Sequence, residues 1–260
     1  SSHFGSSAEA GPVSPAGATP RPAAMSRRSS PKARGRSAGP QAPPPPKVLH
    51  RLFVCGGIAG DTGKPLDSME RLTPDIGKPS VNPATGKTVN GAFAEWEVMH
   101  SPPQGRWGAA AAAACGRVYV CGGYDGRLVL GTVDCYDLAA GTWGPAPPMC
   151  HRRSQAAAVA IKGKVYVCGG YSGYQALSSA ECFDPEAGAW ELLPAMRRAR
   201  VEPAVATVGG RLFVCGGAER GLSLSSAECL DAVAGAGGAW RALPELLEPR
   251  RASAAAALGG

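Results

Sequence analysis

From Arg51 onward the chain repeats one pattern four times: a basic residue, a short run of alternating aliphatic and aromatic positions, then cysteine and two glycines. The copies are Arg51–Gly57 (RLFVCGG), Arg117–Gly123 (RVYVCGG), Lys164–Gly170 (KVYVCGG) and Arg211–Gly217 (RLFVCGG). β-Branched and aromatic residues in so short a run predict a strand. The pairs Gly56-Gly57, Gly122-Gly123, Gly169-Gly170 and Gly216-Gly217 predict its end, where the backbone needs positive φ or close approach of a neighbour. The first glycines stand 66, 47 and 47 residues apart. A period near fifty residues that holds several short strands predicts a repeated all-β unit.

Other residues keep step with these strands. Trp96, Trp143 and Trp190 each precede the next first glycine by 26 positions, and Arg106, Arg153, Arg200 and Arg250 each follow a tryptophan (the last being Trp240) by ten. Ser178–Pro185 (SSAECFDP) and Ser225–Asp231 (SSAECLD) form a third marker, with weaker copies at Thr132–Asp137 and Asp67–Pro74. Glu181–Phe183 reads as a strand closed by the turn formers Asp184-Pro185, and Trp190 lies in another. The alanine-rich run Gln155–Ile161 supplies the remaining strand of its unit; register assigns it, because alanine is a poor strand former. Each unit is thus expected to hold four strands, and a radial arrangement of such units manages exposed sheet edges. The expected boundaries are 48–101, 102–148, 149–195 and 196–247, with 248–260 beginning a further unit. The longer first interval predicts a surface loop over Asp75–Glu95, an insertion that costs little entropy.

In paired glycines, an aromatic in the preceding strand and a tryptophan about twenty residues on, the pattern resembles the kelch repeat, over roughly Arg51 to Gly260. The runs of the type SSAECFDP…W…P-M…R are closest in style to the BTB-kelch proteins, and Pro148-Met149 and Pro194–Met196 fit them. The resemblance implies an all-β kelch-type β-propeller with four blades begun. The chain stops one residue before another basic-apolar-Cys-Gly-Gly strand and does not start with methionine. The expectation is therefore a fragment of a ring of about six blades. The alternative is a strand at Ala252–Leu258 that completes the first blade and closes four.

Composition separates the repeats from what precedes them. Of the net charge of +7, residues 1–47 carry +6, from seven Lys/Arg and one acid; the remainder carries +1. That segment is rich in Ser, Ala, Pro and Gly and shows no apolar periodicity, so it is expected to be disordered. Its run Arg27–Lys32 (RRSSPK) suits anionic partners or phosphorylation, whereas the nearly neutral repeats give no reason to expect nucleic acid. No apolar run reaches the length of a membrane span, and no secretory signal opens the chain. The expected location is the cytoplasm, with organellar targeting by the basic segment left open.

Nine cysteines would ordinarily raise the question of metal or disulfides, yet Cys55, Cys121, Cys168 and Cys215 share one repeat position and Cys135, Cys182 and Cys229 another. They read as small buried strand residues and free thiols, with no metal and no cofactor. The four histidines (His3, His50, His100, His151) offer no pair at ligand spacing, and no nucleophile–base set or phosphate-binding loop is visible, so an enzyme is not expected.

Positions that are identical in every unit report the scaffold, whereas variable positions on a shared face are candidates for recognition. The glycine pairs, tryptophans and arginines fall in the first class, the tryptophans as core anchors and the arginines as a ladder tying blades together. In the second class are two loop sets, which the resemblance implies form the partner face. The loops after the glycine pairs supply Tyr124, Asp125, Arg127, Tyr171, Tyr174, Gln175, Glu219 and Arg220. The connections between units supply His151, Arg152, Arg197 and Arg198. Two places past each ladder arginine stand Gly108, Gln155, Glu202 and Ala252, of which Gln155 and Glu202 join the candidate face. These loops are rich in Tyr and Arg, which are enriched at binding hot spots. The expected function is protein–protein interaction. Its sharper form is substrate recognition for a cullin-type ubiquitin ligase, through a region outside this chain; a cytoskeletal or structural scaffold is the alternative.

Overall fold

The computed structural model describes residues 51–72, 79–81, 88–90 and 96–258; the segment expected to be disordered, 1–47, lies outside them. The first sheet has three strands, β1 (Leu52–Cys55), β2 (Met69–Leu72) and β5 (Trp96–Val98), with β3 (Pro79–Val81) and β4 (Thr88–Asn90) paired as a separate hairpin. The second sheet is β6 (Ala110–Ala114), β7 (Arg117–Cys121), β8 (Val133–Asp137) and β9 (Thr142–Ala146). The third is β10 (Ala157–Ile161), β11 (Lys164–Cys168), β12 (Ala180–Asp184) and β13 (Ala189–Leu192). The fourth begins with β14 (Ala204–Val208) and β15 (Arg211–Cys215). A short hairpin of β16 (Ala218–Glu219) and β17 (Leu222–Ser223) follows, and β18 (Ala227–Asp231) and β19 (Arg241–Leu243) complete the sheet. A 3-10 turn at Ala232–Gly237 is the one helical element among the described residues.

All pairings are antiparallel, and register repeats between sheets: Tyr119 opposes Cys135, Tyr166 opposes Cys182 and Phe213 opposes Cys229. The alanine-rich run assigned by register alone holds the strand β10, and the alanine run Ala110–Ala114 forms β6 in the same place of the second sheet. Small side chains fit there because β6, β10 and β14 lie side by side where successive sheets come closest.

The apolar alternation of the basic-apolar-Cys-Gly-Gly strands has two destinations. Val118 and Val120 of β7 join Met69 against the first sheet, while Tyr119 and Cys121 join Val165, Val167 and Phe183 of the third. Tyr166 and Cys168 in turn meet Leu212, Val214 and Leu230 of the fourth. A strand sandwiched between sheets must be apolar on both faces, and each buried Val or Leu contributes about 1.5–3 kcal/mol. The same burial raises the thiols: Cys121 and Cys168 are pushed up to about 12 and Cys55 to about 11.

Three expectations need correction. The insertion Asp75–Glu95 is not only loop, because β3 and β4 form a hairpin in it, helped by β-branched Val81, Thr88 and Val89; the rest of that range lies outside the described residues. Ala252–Leu258 is not a strand. It adds no strand to the first sheet, which stays three-stranded. Gln155 is not part of its strand either: it lies at φ 52°, two residues before β10 begins.

Candidate functional site

The ladder arginines, glycine pairs and serine–acid markers, far apart in sequence, meet in one cluster per sheet. Arg200 donates through Nη1 to the carbonyls of Gly216 (2.7 Å) and Ser226 (2.8 Å), and through Nη2 to Ser226 Oγ (3.1 Å) and Glu228 Oε1 (2.7 Å). Arg153 donates likewise to Gly169, Ser179 and Glu181, and Arg106 to Gly122, Thr132 and Asp134. Arginine is required because its planar fork serves two carbonyls and a carboxylate at once. The two glutamates also cap the preceding connection: Glu181 accepts from the N–H groups of Cys150 (2.7 Å) and His151 (3.0 Å), Glu228 from those of Arg197 (2.8 Å) and Arg198 (3.2 Å). Burial pushes the Glu181 carboxyl up, but Arg153 and the two N–H groups outweigh it and hold the group below its ordinary value.

The backbones of these arginines belong to the preceding sheet. Arg153 N–H donates to Leu130 O and its carbonyl accepts from Gly123 N–H, and the pattern repeats for Arg106 with Leu66 and Gly57, Arg200 with Leu177 and Gly170, and Arg250 with Leu224 and Gly217. Arg106, Arg153 and Arg200 therefore each join two sheets, one by backbone and one by side chain. The first glycine of each pair is also fixed by this contact. At Gly169 φ is +65° and a Cβ would lie 2.5 Å from Arg200 O, so only glycine fits. Leu66, Leu130, Leu177 and Leu224 recur in register and went unread in the sequence; their signal was a leucine two residues before each serine or threonine marker.

The tryptophans are a second bridge between sheets. Nε1 of Trp143 donates to His100 O, that of Trp190 to Pro147 O and that of Trp240 to Pro194 O, each 2.7 Å and each to the strand end of the preceding sheet. They are not all core anchors. Trp240 is buried, Trp143 and Trp190 are half-buried, and Trp96 is 48 % exposed. Arg250 departs similarly: its guanidinium is exposed and, among the described residues, pairs only with exposed Glu248, at 3.7 Å.

Gly108, Gln155, Glu202 and Ala252 all have φ between 51° and 61°. Gln155 N–H donates to Gly108 O (2.6 Å), Glu202 N–H to Gln155 O (2.9 Å) and Ala252 N–H to Glu202 O (3.1 Å). This arc of hydrogen bonds runs from sheet to sheet along the inner rim, and Gln155 Nε2 adds a bond to Glu202 Oε1 (2.7 Å).

The candidate face divides into side chains engaged within the fold and side chains left free. Asp125 accepts from Arg127 and Leu128 N–H (both 2.8 Å), which lowers its pKa, and from Gln104 Nε2 (2.9 Å). Tyr124 packs edge-on against Trp107, with ring centroids 5.4 Å apart. His151 Nδ1 lies 3.3 Å from Glu181, and Arg198 grips Glu219 through two nitrogens (2.9 and 2.8 Å). Exposed Arg127, Arg152, Tyr174, Arg197 and Arg220 carry no side-chain partner among the described residues. Between the third and fourth sheets a cleft of about 670 Å³ gathers Gln155, Tyr171, Tyr174, Gln175, Glu202, Glu219 and Arg220, with Arg251. Tyr124, Asp125, Arg127, His151, Arg152, Arg197 and Arg198 do not line it. Arg251, adjacent to the last ladder arginine, was missed because nothing in the repeat marks it.

All nine cysteines are free thiols in the structure. Among the described residues no three His, Cys, Asp or Glu side chains group as a metal site, and no helix is long and apolar enough to cross a membrane.

Sheets linked in this way define a propeller-type repeat array. The comparisons agree: the family model described as the kelch motif matches residues 106–149, 152–197 and 199–247, and the chain belongs to the kelch-repeat family. It is also similar to the solved structure of YjhT, with a TM-score of 0.58 and 17 % identity over 79 % of this chain and 68 % of that one, a likeness of fold.

Proposed function

We propose that the chain is a protein-interaction module whose partner docks on the loop face, centred on the cleft between the third and fourth sheets. Kelch repeats support an interaction or scaffold-type role in general. The observation that carries the specific reading is the contrast within that face. Asp125, Arg198, Glu219, Gln155 and Glu202 are taken up by internal bonds, while Tyr174, 86 % exposed, and Arg220 line the cleft with no side-chain partner among the described residues. Tyr and Arg presented in this way are typical anchors of an interface.

The finer role is substrate recognition for a cullin-type ubiquitin ligase, resting on the resemblance of the SSAECFDP-type markers to BTB-kelch proteins. It requires a ligase-binding region outside residues 1–260. The test has two parts. Proximity labelling with the wild type and with Tyr174→Ala/Arg220→Ala should show a set of neighbours lost in the variant at unchanged melting temperature; identical sets would refute the cleft. Recovery of a cullin with the full-length gene product tests the ligase role, and its failure alone leaves a scaffold or other binding role.

A further inference from the structure

Neighbouring sheets also part at the end opposite the loop face. β11 runs from Lys164 at that end to Cys168 beside its glycine pair. There, between the third and fourth sheets, lies a cavity of about 380 Å³, within the size range of small-molecule sites. Register lays Tyr166, Cys182 and Glu191 across one face of the third sheet. Tyr166 and Cys182, with buried Ile161 and Leu193, make the floor of the cavity, and Ala232, the first residue of the 3-10 turn, makes its opposite wall. The Tyr166 hydroxyl is already engaged: it donates to Ala232 O (3.2 Å) and shares a hydrogen bond with the Cys182 thiol. What covers this floor must therefore be largely apolar.

Two departures from the repeat meet at this cavity. Trp240 follows Asp231 by nine positions, whereas Trp190 follows Asp184 by six, and the longer segment holds the 3-10 turn that begins at Ala232. The second departure is charge. The corresponding cleft between the second and third sheets, about 360 Å³, has the ion pair Arg117–Asp137 (3.0 Å) at its edge. In the third sheet Lys164 makes the matching pair with Asp184 (2.8 Å) and also lies in the field of the Glu191 carboxylate. Lys162 is additional. It lines the cavity, is exposed, and has no side-chain partner among the described residues. Its counterparts, 47 places away on either side, are Cys115 and Gly209, so it varies between repeats on a shared face, as a recognition residue does.

We propose that this cavity binds a small amphipathic acid, its apolar body over Tyr166, Cys182 and Leu193 and its anionic head paired with Lys162. Burial of the apolar body supplies most of the affinity. The head group is selected by charge complementarity: Glu191 already has Lys164 beside it, while the charge of Lys162 is uncompensated. The site is separate from the partner cleft, which shares none of these residues.

Calorimetric titration of the 260-residue chain with octanoate, octanol and octylammonium tests this, because the three probes share a tail and differ in charge. Octanoate should bind once per chain with a Kd of about 0.1–1 mM, reasonable for so small a ligand, and octylammonium should bind at least about tenfold more weakly. Lys162→Glu should weaken octanoate about tenfold and leave octanol unchanged. Ala232→Phe fills the cavity and should abolish both. An octanoate analogue with a diazirine at its tail should label peptides that hold Tyr166, Cys182 or Leu193. Lys162→Glu alters an exposed side chain, and an unchanged melting temperature verifies its folding, so the test stands even if Ala232→Phe does not fold. Absence of saturable octanoate binding below about 5 mM, octylammonium bound as tightly as octanoate, a Lys162→Glu variant that binds octanoate like the wild type, or labelling confined to other peptides would each overturn the proposal.

Discussion

The third sheet and the first are built from the same motif and end in different physical states. Val165, Val167, Glu181 and Trp190 of the third are covered by the second sheet or bonded to it; Leu52, Val54, Glu70 and Trp96 of the first hold the same register and face solvent. The difference is the neighbour and not the residue. In a repeat array a landmark becomes a structural residue only when the adjacent unit supplies its other half, so stability is largely a sum of interface terms. Identity across repeats therefore predicts where a residue sits, while its energetic weight depends on which sheet carries it.

The largest effect should come from breaking a complete cluster. Arg153→Ala leaves Glu181 fully buried without its guanidinium partner, and removing one partner of a buried pair costs about 3–5 kcal/mol. Arg250→Ala, with an exposed side chain, should leave the melting temperature of the monomer within a degree or two of wild type. Comparable losses in denaturant titrations of the two variants would show that the ladder arginines act alike and would remove the contrast.

Next come the tryptophans. Trp240→Ala empties a buried site and breaks the bond to Pro194 O, for an expected loss of about 3–5 kcal/mol. Trp96→Ala should lose well under half of that, as its ring is half in solvent and makes no such bond. Thermal melts of the two variants measure the difference directly.

A glycine comparison is smaller. Gly169→Ala meets both positive φ and a carbonyl 2.5 Å from the new Cβ, so a loss of roughly 2–3 kcal/mol is expected. Gly188→Ala has a similar φ of +63° and open space around it, and should cost about 1 kcal/mol. Equal losses would mean that backbone conformation alone, and not the approach of the Arg200 carbonyl, selects glycine in the pairs.

Much of this was legible in the chain. Apolar alternation placed the strands, and register placed even the alanine-rich strand within Gln155–Ile161 that propensity disfavours. What could not be read was which landmarks touch. Arg153, Gly169, Ser179 and Glu181 recur at fixed offsets, but an offset in sequence does not say that one guanidinium serves all three partners. The exposure of Trp96 and Arg250 was equally hidden, since both obey the repeat and differ only in what lies beside them. At the candidate face, composition pointed to loops of which about half line the cleft, and it could not separate Arg198, held by Glu219, from Arg220, which has no side-chain partner among the described residues. That distinction depends on side-chain geometry across two sheets.

The smallest effect concerns pH, and it follows from the cluster that sheet three has and sheet one lacks. Glu181 is held below its ordinary pKa when folded, so the unfolded chain binds its proton first as pH falls. Its contribution is fully present above the unfolded value of about 4.3 and is lost as pH drops through the lower folded value. Stability measured from pH 6 down should therefore fall below about pH 4. Glu181→Gln should flatten that fall and start from a lower plateau, because the amide cannot satisfy Arg153 as a carboxylate does. If Glu181→Gln loses stability with falling pH as steeply as the wild type, the Arg153–Glu181 cluster does not carry the dependence.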